Sequence, residues 1–182
     1  ITLTEPWTAP IGVITGDENG AVGPGAYAGT FDGQGHKISG FNAESTGLGH
    51  VGLFGDANGA TIKNFSIEGT LTVTGGHGSG VIAYLTNCII DNVHSALVID
   101  VPVEKVCHVG GVVGSSRGGS VISNCTFSGA IAIASGSTDC FAGIVGYLGG
   151  DNVLNCVNYG NITFSDPSCA IGGIVAYLNN TT

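Results

Sequence analysis

A short apolar phrase recurs five times along this chain and sets its architecture. Each copy is a glycine, two apolar residues and then a glycine or alanine, and the copies begin at Gly52, Gly80, Gly111, Gly143 and Gly173. The steps between copies are 28, 31, 32 and 30 residues. A period of this size is typical of a stacked repeat, in which each unit buries its apolar face against the next.

An asparagine follows each of the first four copies at a similar distance. These residues are Asn64, Asn92, Asn124 and Asn155, at steps of 28, 32 and 31 residues. Stacked coils bring equivalent residues into columns, so we expect one column of asparagine side chains. We predict that this column points inward at a turn, where its amides bond to one another and to the turn backbone.

The residues between the copies predict strands. In the third copy, runs rich in Val, Ile and Ala at residues 109–113, 121–127 and 130–134 are separated by Gly- and Ser-rich turns. Three strands per coil predict an all-β fold, a right-handed parallel β-helix of about five coils of 28–32 residues. A left-handed helix of hexapeptides needs only about 18 residues per coil and is disfavoured.

The N-terminal part differs from the repeats within what we predict to be a single structural domain. Residues 1–45 predict an opening coil that caps the first rung and protects its edge. Residues 46–182 predict the repeats themselves. A solenoid end carries a polar cap, whereas the fifth copy is followed almost at once by residues 179–182, so we expect the array to be truncated there.

The charge of the chain excludes several classes of partner. The formal net charge is −9, and the only basic residues besides histidine are Lys37, Lys63, Lys105 and Arg117. This composition argues against binding to nucleic acid or to anionic membrane surfaces. No apolar run is long enough to predict a membrane-spanning segment, so we predict no membrane insertion.

The repeated phrase and the asparagine downstream of it resemble the GLUG repeat. The opening segment, with Trp7, residues 10–12 and residues 31–40, resembles it too, so the likeness runs from Trp7 to about Leu178. GLUG repeats occur in large surface and secreted bacterial proteins, including adhesins. The resemblance implies a β-helix in an extracellular or cell-surface stalk or adhesive region, and it implies no catalytic site.

Cysteines recur in two further columns. One column precedes the phrase and the other follows the asparagine, and the members are Cys107, Cys140 and Cys169, then Cys125 and Cys156. Cys88 belongs to neither column. Buried, reduced thiols are the preferred interpretation, because free cysteine packs like a small apolar residue. Disulfides between coils and metal binding are the alternatives. No CxxC pair is present, and we predict no metal site and no cofactor.

Tyrosines share the position four residues after the phrase glycine in three copies, at Tyr84, Tyr147 and Tyr177. They predict either a core stack, which is preferred, or an exposed stripe that binds sugar rings or a partner surface. Histidines lie two or three residues before the phrase glycine, at His50, His77 and His108. Solvated turn histidines are a better interpretation of these three than metal ligands.

These features favour a non-catalytic adhesin or stalk module that binds a host glycan or an extracellular protein. The first alternative is a polysaccharide-active lyase or hydrolase, which needs paired carboxylates facing one bond; no adjacent pair is evident. The second alternative is a purely structural spacer. Uncovered solenoid ends can pair with one another, so end-to-end self-association is also expected.

Overall fold

The structure is a computed structural model that describes residues 1–12, 25–45, 49–75, 80–102, 108–134, 139–165 and 169–179. Within these ranges the regular secondary structure is entirely strand. No helix in the described residues is long and apolar enough to cross a membrane.

The described residues form seventeen strands. In chain order they are β1 (Thr30–Ser45), β2 (Phe54–Asn58), β3 (Thr61–Val73), β4 (Ile82–Thr86), β5 (Ile89–Val101), β6 (His108–Gly110), β7 (Val113–Arg117), β8 (Val121–Ser123), β9 (Thr126–Phe127), β10 (Ala130–Ile133), β11 (Cys140–Ala142), β12 (Val145–Gly149), β13 (Asn152–Leu154), β14 (Val157–Asn158), β15 (Asn161–Phe164), β16 (Ala170–Gly172) and β17 (Val175–Asn179).

Three parallel sheets are built from these strands. Sheet I follows the order β1-β3-β5-β10-β15, with β8 and β9 pairing with β5, and with β13 and β14 added beyond them. Sheet II is β2-β4-β7-β12-β17, and sheet III is β6-β11-β16. Every strand pairs in parallel with the strand one repeat away. This is a parallel β-solenoid, in which one turn of the chain forms one rung.

The predicted all-β solenoid is therefore confirmed. Sheet II holds five strands in the described part of the chain, which gives about four complete turns rather than the five coils predicted. The difference is one of counting, because five stacked strands are joined by four turns. The right-handed winding stays a prediction, which the strong preference of parallel crossovers for that hand supports.

Columns of apolar side chains fill the interior. Ile62, Ile90 and Ile122 are in register on consecutive rungs of sheet I, and each is fully buried. Leu71, Ile99 and Ile131 form a second such column. Burial of one such side chain stabilises the fold by about 1.5–3 kcal/mol. Each repeat therefore depends on its neighbours for most of its apolar contacts.

The first residues of the chain lie along the edge of the first rung. Leu3 N donates to Ser39 O at 2.8 Å, and Trp7 N donates to Asn42 O at 2.7 Å. These bonds pair backbone carbonyl groups at the edge of the first rung, which would otherwise be open to pairing with other chains. The strand β1 belongs to the same sheet as the later rungs, and the predicted division at residue 45 stays a prediction.

The asparagine column exists, but its predicted inward orientation is wrong. All four residues have a left-handed backbone, with φ between 53° and 58°, and Asn124 and Asn155 are exposed. Asn92 Nδ2 donates to Asn64 Oδ1 at 3.0 Å, and Asn155 Nδ2 approaches Asn124 Oδ1 at 3.5 Å. Each asparagine bends its strand and keeps its amide at the surface, so the next residue, such as Val93, turns into the core.

We expect Asn92→Ala to lower the free energy of unfolding by about 2 kcal/mol, because it loses the amide bond and leaves a residue with a Cβ in a left-handed conformation. Asn92→Gly keeps the conformational freedom and loses only the amide bond, so its expected cost is about 1 kcal/mol. Urea denaturation of the two variants measures the difference. Equal costs would contradict a role for backbone conformation here.

Candidate functional site

The three tyrosines occupy one column on the outer face of sheet II. Tyr84 aligns with Ser115, which aligns with Tyr147, which aligns with Tyr177. The neighbouring residues in the strands, such as Leu85, belong to the buried core cluster, whereas none of the three tyrosines does. Tyr84 is buried, as a core stack predicts, whereas Tyr147 is half-buried and Tyr177 is exposed, so the column leaves the core towards its later end.

Arg117 fills the place that the small side chain of Ser115 leaves in this column. Its guanidinium carbon lies 5.9 Å from the ring centroid of Tyr84 and 4.9 Å from that of Tyr147. Both distances are within the range of a cation–π interaction. We call Tyr84, Arg117, Tyr147 and Tyr177 the aromatic stripe. It runs without a gap across four rungs.

The rings of the aromatic stripe stack on one another. Tyr147 and Tyr177 have ring centroids 5.4 Å apart and planes that differ by 16°. Asn179 Nδ2 donates to the hydroxyl of Tyr147 at 2.7 Å. Because centroids this close require overlapping faces, the stripe presents ring edges, hydroxyl groups and one guanidinium to a partner, rather than open ring faces.

Exposure increases along the aromatic stripe. Tyr84 is 4% exposed and Tyr177 is 48% exposed, with Tyr147 between them. Burial raises the pKa of the Tyr84 hydroxyl above its ordinary value, and Arg117 opposes that rise. Arg117 itself is exposed. The accessible part of the stripe is thus the part around Arg117, Tyr147 and Tyr177.

His50 covers Tyr84 at the first end of the stripe. Its ring stacks on the ring of Tyr84 with centroids 5.5 Å apart, and its Nδ1 lies 2.6 Å from Asp56 Oδ1. The side chain of His50 is 8% exposed, so the prediction of a solvated turn histidine is wrong for this residue. His108 lies against Tyr147 at 4.8 Å. His77 lies outside the described residues.

The contributions of His50, Asp56 and Arg117 to this surface were not predicted from the sequence. Asp56 and Ser115 stand at the tyrosine position in the two copies that lack a tyrosine. Alignment of the five copies identifies Asp56 and Ser115 as the residues that replace the tyrosine. Arg117 lies two residues beyond that position, on the same face of its strand, and that spacing was the available signal for its role.

The cations of the described residues are not equally paired. Lys37 forms an ion pair with Glu68, and the amine of Lys63 lies 3.5 Å from Asp32 Oδ2. Within the described part of the chain, no carboxylate lies in ion-pair range of Arg117, whose guanidinium faces two rings instead. Arg117 is thus a cation held in place by aromatic rings and available to an anion.

The surface carboxylates nearest to a paired arrangement are Asp32 and Asp91, which flank Lys63 in one column of sheet I. A hydrogen bond from the backbone amide of Gln34 holds the pKa of Asp32 below its ordinary value, and a second bond from the side chain of Asn64 adds to this effect. The hydroxyl of Ser123 and the amide of Asn124 do the same to the pKa of Asp91. A general acid in glycoside hydrolysis needs a raised pKa, and neither carboxyl has one.

Comparison with known proteins identifies the repeat. The family described as "The GLUG motif" matches residues 106–132, a segment that includes β6, β7, β8 and β9. Residues 106–132 are therefore a GLUG repeat. The strands of the matched GLUG segment pair in register with those of the rungs on either side, so the same unit recurs beyond the matched residues.

One curated relative is Halomucin of Haloquadratum walsbyi (strain DSM 16790 / HBSQ001), which is 33% identical over 114 residues, or 62% of this chain. The chain spans about 1% of the length of that relative. The relative is archaeal, so the bacterial source implied by the GLUG resemblance stays a prediction. No solved structure matches the chain.

The GLUG rungs bring some of the cysteines together. Cys125 and Cys156 lie opposite each other on adjacent rungs, as predicted. Cys140 pairs with His108 and Ala170, so it is one position out of line with Cys169, and the predicted column of these two residues is wrong. The reason is that Cys140 lies three residues before its phrase glycine, Gly143, whereas Cys169 lies four residues before Gly173. Cys107 lies outside the described residues.

Cys88, Cys125 and Cys156 form no disulfide within the described part of the chain. Cys88 and Cys125 are buried, and Cys140, Cys156 and Cys169 are partly exposed. Burial raises the pKa of Cys88 above its ordinary value. In this part of the GLUG solenoid, no group of three or more His, Cys, Asp or Glu side chains is placed to hold a metal ion.

Proposed function

We propose that this chain is a non-catalytic repeat module of an extracellular or cell-surface protein, and that it binds a carboxylate-bearing glycan through its aromatic stripe. The GLUG repeat and the likeness to Halomucin support the setting on a cell surface. Because the chain matches about 1% of that relative, the proposal concerns a module and not the activity of a whole protein.

The observation that carries the ligand class is the state of Arg117. Its guanidinium is exposed and held between two tyrosine rings, and no carboxylate of the described residues pairs with it. A guanidinium presents a rigid fork of N–H donors that matches a carboxylate. Fixing the side chain in advance lowers the entropy that binding must otherwise overcome. A uronate or another acidic sugar meets these requirements.

The net charge of −9 opposes an anionic ligand at long range. The affinity of one module is therefore expected to be weak, with the contact at Arg117 acting locally. Many modules along one chain, binding one repetitive polysaccharide, would raise the overall affinity through high effective concentration. A GLUG array would supply repeated sites on the protein, and a polysaccharide would supply repeated carboxylates.

The lowered pKa values of Asp32 and Asp91 support a non-catalytic role. Both carboxyls accept hydrogen bonds from adjacent residues of the asparagine ladder, which is the arrangement expected of a structural turn. The enzyme alternative predicts that a bound polysaccharide shortens with time. The spacer alternative predicts no saturable binding at all.

The test is binding of the folded chain to a panel of polyuronates, sialylated glycans and matched neutral glycans. We expect saturable binding to the carboxylated members alone. Arg117→Ala removes a charge-assisted hydrogen bond and is expected to weaken binding about tenfold or more. Arg117→Lys keeps the charge and loses the fork, so a partial loss is expected.

Lys63→Ala is the matched control, because it removes a cation from sheet I, two rungs before Arg117 and away from the aromatic stripe. It is expected to leave the affinity unchanged. Equal loss in Lys63→Ala and Arg117→Ala, or binding that does not distinguish acidic from neutral glycans, would contradict a site at Arg117. If a chain shown to be folded binds no glycan of the panel, the result would favour a purely structural spacer.

A further inference from the structure

Cys125 and Cys156 lie directly opposite each other on adjacent rungs of sheet I. The pairs on either side fix this register, since Ser123 aligns with Leu154 and Thr126 aligns with Val157. Val157 N donates to Cys125 O at 3.0 Å. Strands in one sheet lie about 4.8 Å apart, so the two Cα atoms are within the range of about 4.4–6.8 Å that a disulfide spans.

Both thiols lie against backbone carbonyls of their own rungs, and Cys156 also reaches a carbonyl on the rung of Cys125. Cys125 Sγ donates to Ser123 O at 3.1 Å, and Cys156 Sγ lies 3.4 Å from Leu154 O, the equivalent carbonyl one rung later. Cys156 Sγ also lies 3.7 Å from Ile122 O, which belongs to the rung of Cys125. A side-chain hydrogen bond between the two cysteines is the largest influence on the pKa of each. Both side chains thus occupy one space between the rungs.

The pair is asymmetric in access and in charge. Cys125 is fully buried, whereas Cys156 is partly exposed. The hydrogen bond from Cys125 lowers the pKa of Cys156 to about 7, and the same bond together with burial raises the pKa of Cys125. A thiolate is the nucleophile in thiol–disulfide exchange. Cys156 is therefore placed to react first, and Cys125 to react second.

We propose that Cys125 and Cys156 are a redox-active pair that closes into a disulfide between rungs when a low-molecular-weight organic disulfide is present. The inference is independent of the proposed glycan site, because the pair lies on sheet I and the aromatic stripe lies on sheet II. The cross-link joins two consecutive repeats across one complete turn of the solenoid.

The exchange balances in two steps. The Cys156 thiolate attacks one sulfur of the organic disulfide, which breaks its S–S bond, forms a mixed disulfide on Cys156 and releases the other half as a thiolate. Cys125 then loses its proton to solvent and attacks the Cys156 sulfur, which displaces the second half as a thiolate. The protein pair is oxidised by two electrons, and the organic disulfide is reduced to two thiols.

Cys88 provides a matched control. It is buried like Cys125, but its neighbours in the column are Ala60 and Ser120, which bond to it through Ala60 N and Ser120 Oγ. No cysteine of the described residues lies opposite it on an adjacent rung. It therefore shares the burial of the pair and lacks the partner.

The experiment treats the reduced, folded chain with oxidised glutathione at low protein concentration and then maps the cysteine peptides by mass spectrometry after alkylation. We expect a linked peptide that joins Cys125 to Cys156 with the loss of two hydrogens, in the wild type and in Cys88→Ser. Cys125→Ser is expected to stop at a glutathione adduct on Cys156. Cys156→Ser is expected to form neither product.

Closure is also expected to raise the Tm of the oxidised chain by about 5 °C or more, because the bridge constrains a whole repeat in the unfolded state. A wild-type chain in which Cys125 and Cys156 are both alkylated after the treatment would overturn the proposal. So would a bridge from Cys156 to another cysteine. The wild-type map decides the question alone if a serine variant does not fold.

Discussion

Gly129→Ala is expected to lower the free energy of unfolding by about 3 kcal/mol or more. A Cβ at residue 129 would lie 1.9 Å from the carbonyl oxygen of Leu97 on the preceding rung. The same corner of another rung has Gly69, where a Cβ would lie 1.9 Å from Phe41 O. The obstacle is backbone and not a movable side chain, so two rungs must separate locally and lose ladder bonds and core contacts.

Gly173→Ala is the control for this prediction. No heavy atom lies within 4 Å of the position that its Cβ would take, and its φ is not in the left-handed region. We expect a change of less than about 0.5 kcal/mol. Urea denaturation followed by circular dichroism measures both variants. Similar stabilities for the two would show that the rungs at residue 129 can move apart at little cost.

Phe127→Ala is expected to cost about 3–5 kcal/mol, the range for removing a buried aromatic side chain. Phe127 is fully buried, and its ring lies so close to Gly111 and Gly160 that a Cβ there would come within 2.3 Å and 2.6 Å of it. The ring therefore fills the space between successive turns. Its loss leaves a cavity that neither neighbouring rung can fill.

Phe164→Ala is the matched control, since Phe164 is 51% exposed on the last described rung. Its expected cost is below about 1.5 kcal/mol. Thermal and urea denaturation of both variants, read at the same protein concentration, give the comparison. Equal costs would mean that the terminal rung is packed as tightly as the middle of the solenoid, contrary to the exposure of Tyr159 and Leu178.

The solenoid could be predicted from sequence because its period marks equivalent positions directly. Spacing alone placed Asn64, Asn92 and Asn124 in one column and placed Tyr147 above Tyr177. In a parallel stack each repeat has the same environment as the next, so composition at one position indicates the packing of the whole column. Most of the fold follows from this equivalence.

Side-chain direction and cross-rung contacts could not be predicted in the same way. Periodicity places a residue in a column, but the left-handed backbone at Asn124 decides that its amide faces outward. The contact of Arg117 with two tyrosines depends on the absence of a tyrosine from its own rung, where Ser115 stands, and a repeat consensus does not contain that information.

The ladder bonds of this solenoid run along its axis, and this has a mechanical consequence. A folded rung contributes about 4.8 Å of height. A rung that detaches under tension releases 28 to 32 residues of chain, which extend to about 100 Å. Because each rung contacts only its neighbours, rungs would detach one at a time from an end. Each lost rung would replace its own height with a chain segment about twentyfold longer, so the module would extend stepwise and absorb sudden tension between the points to which it is attached.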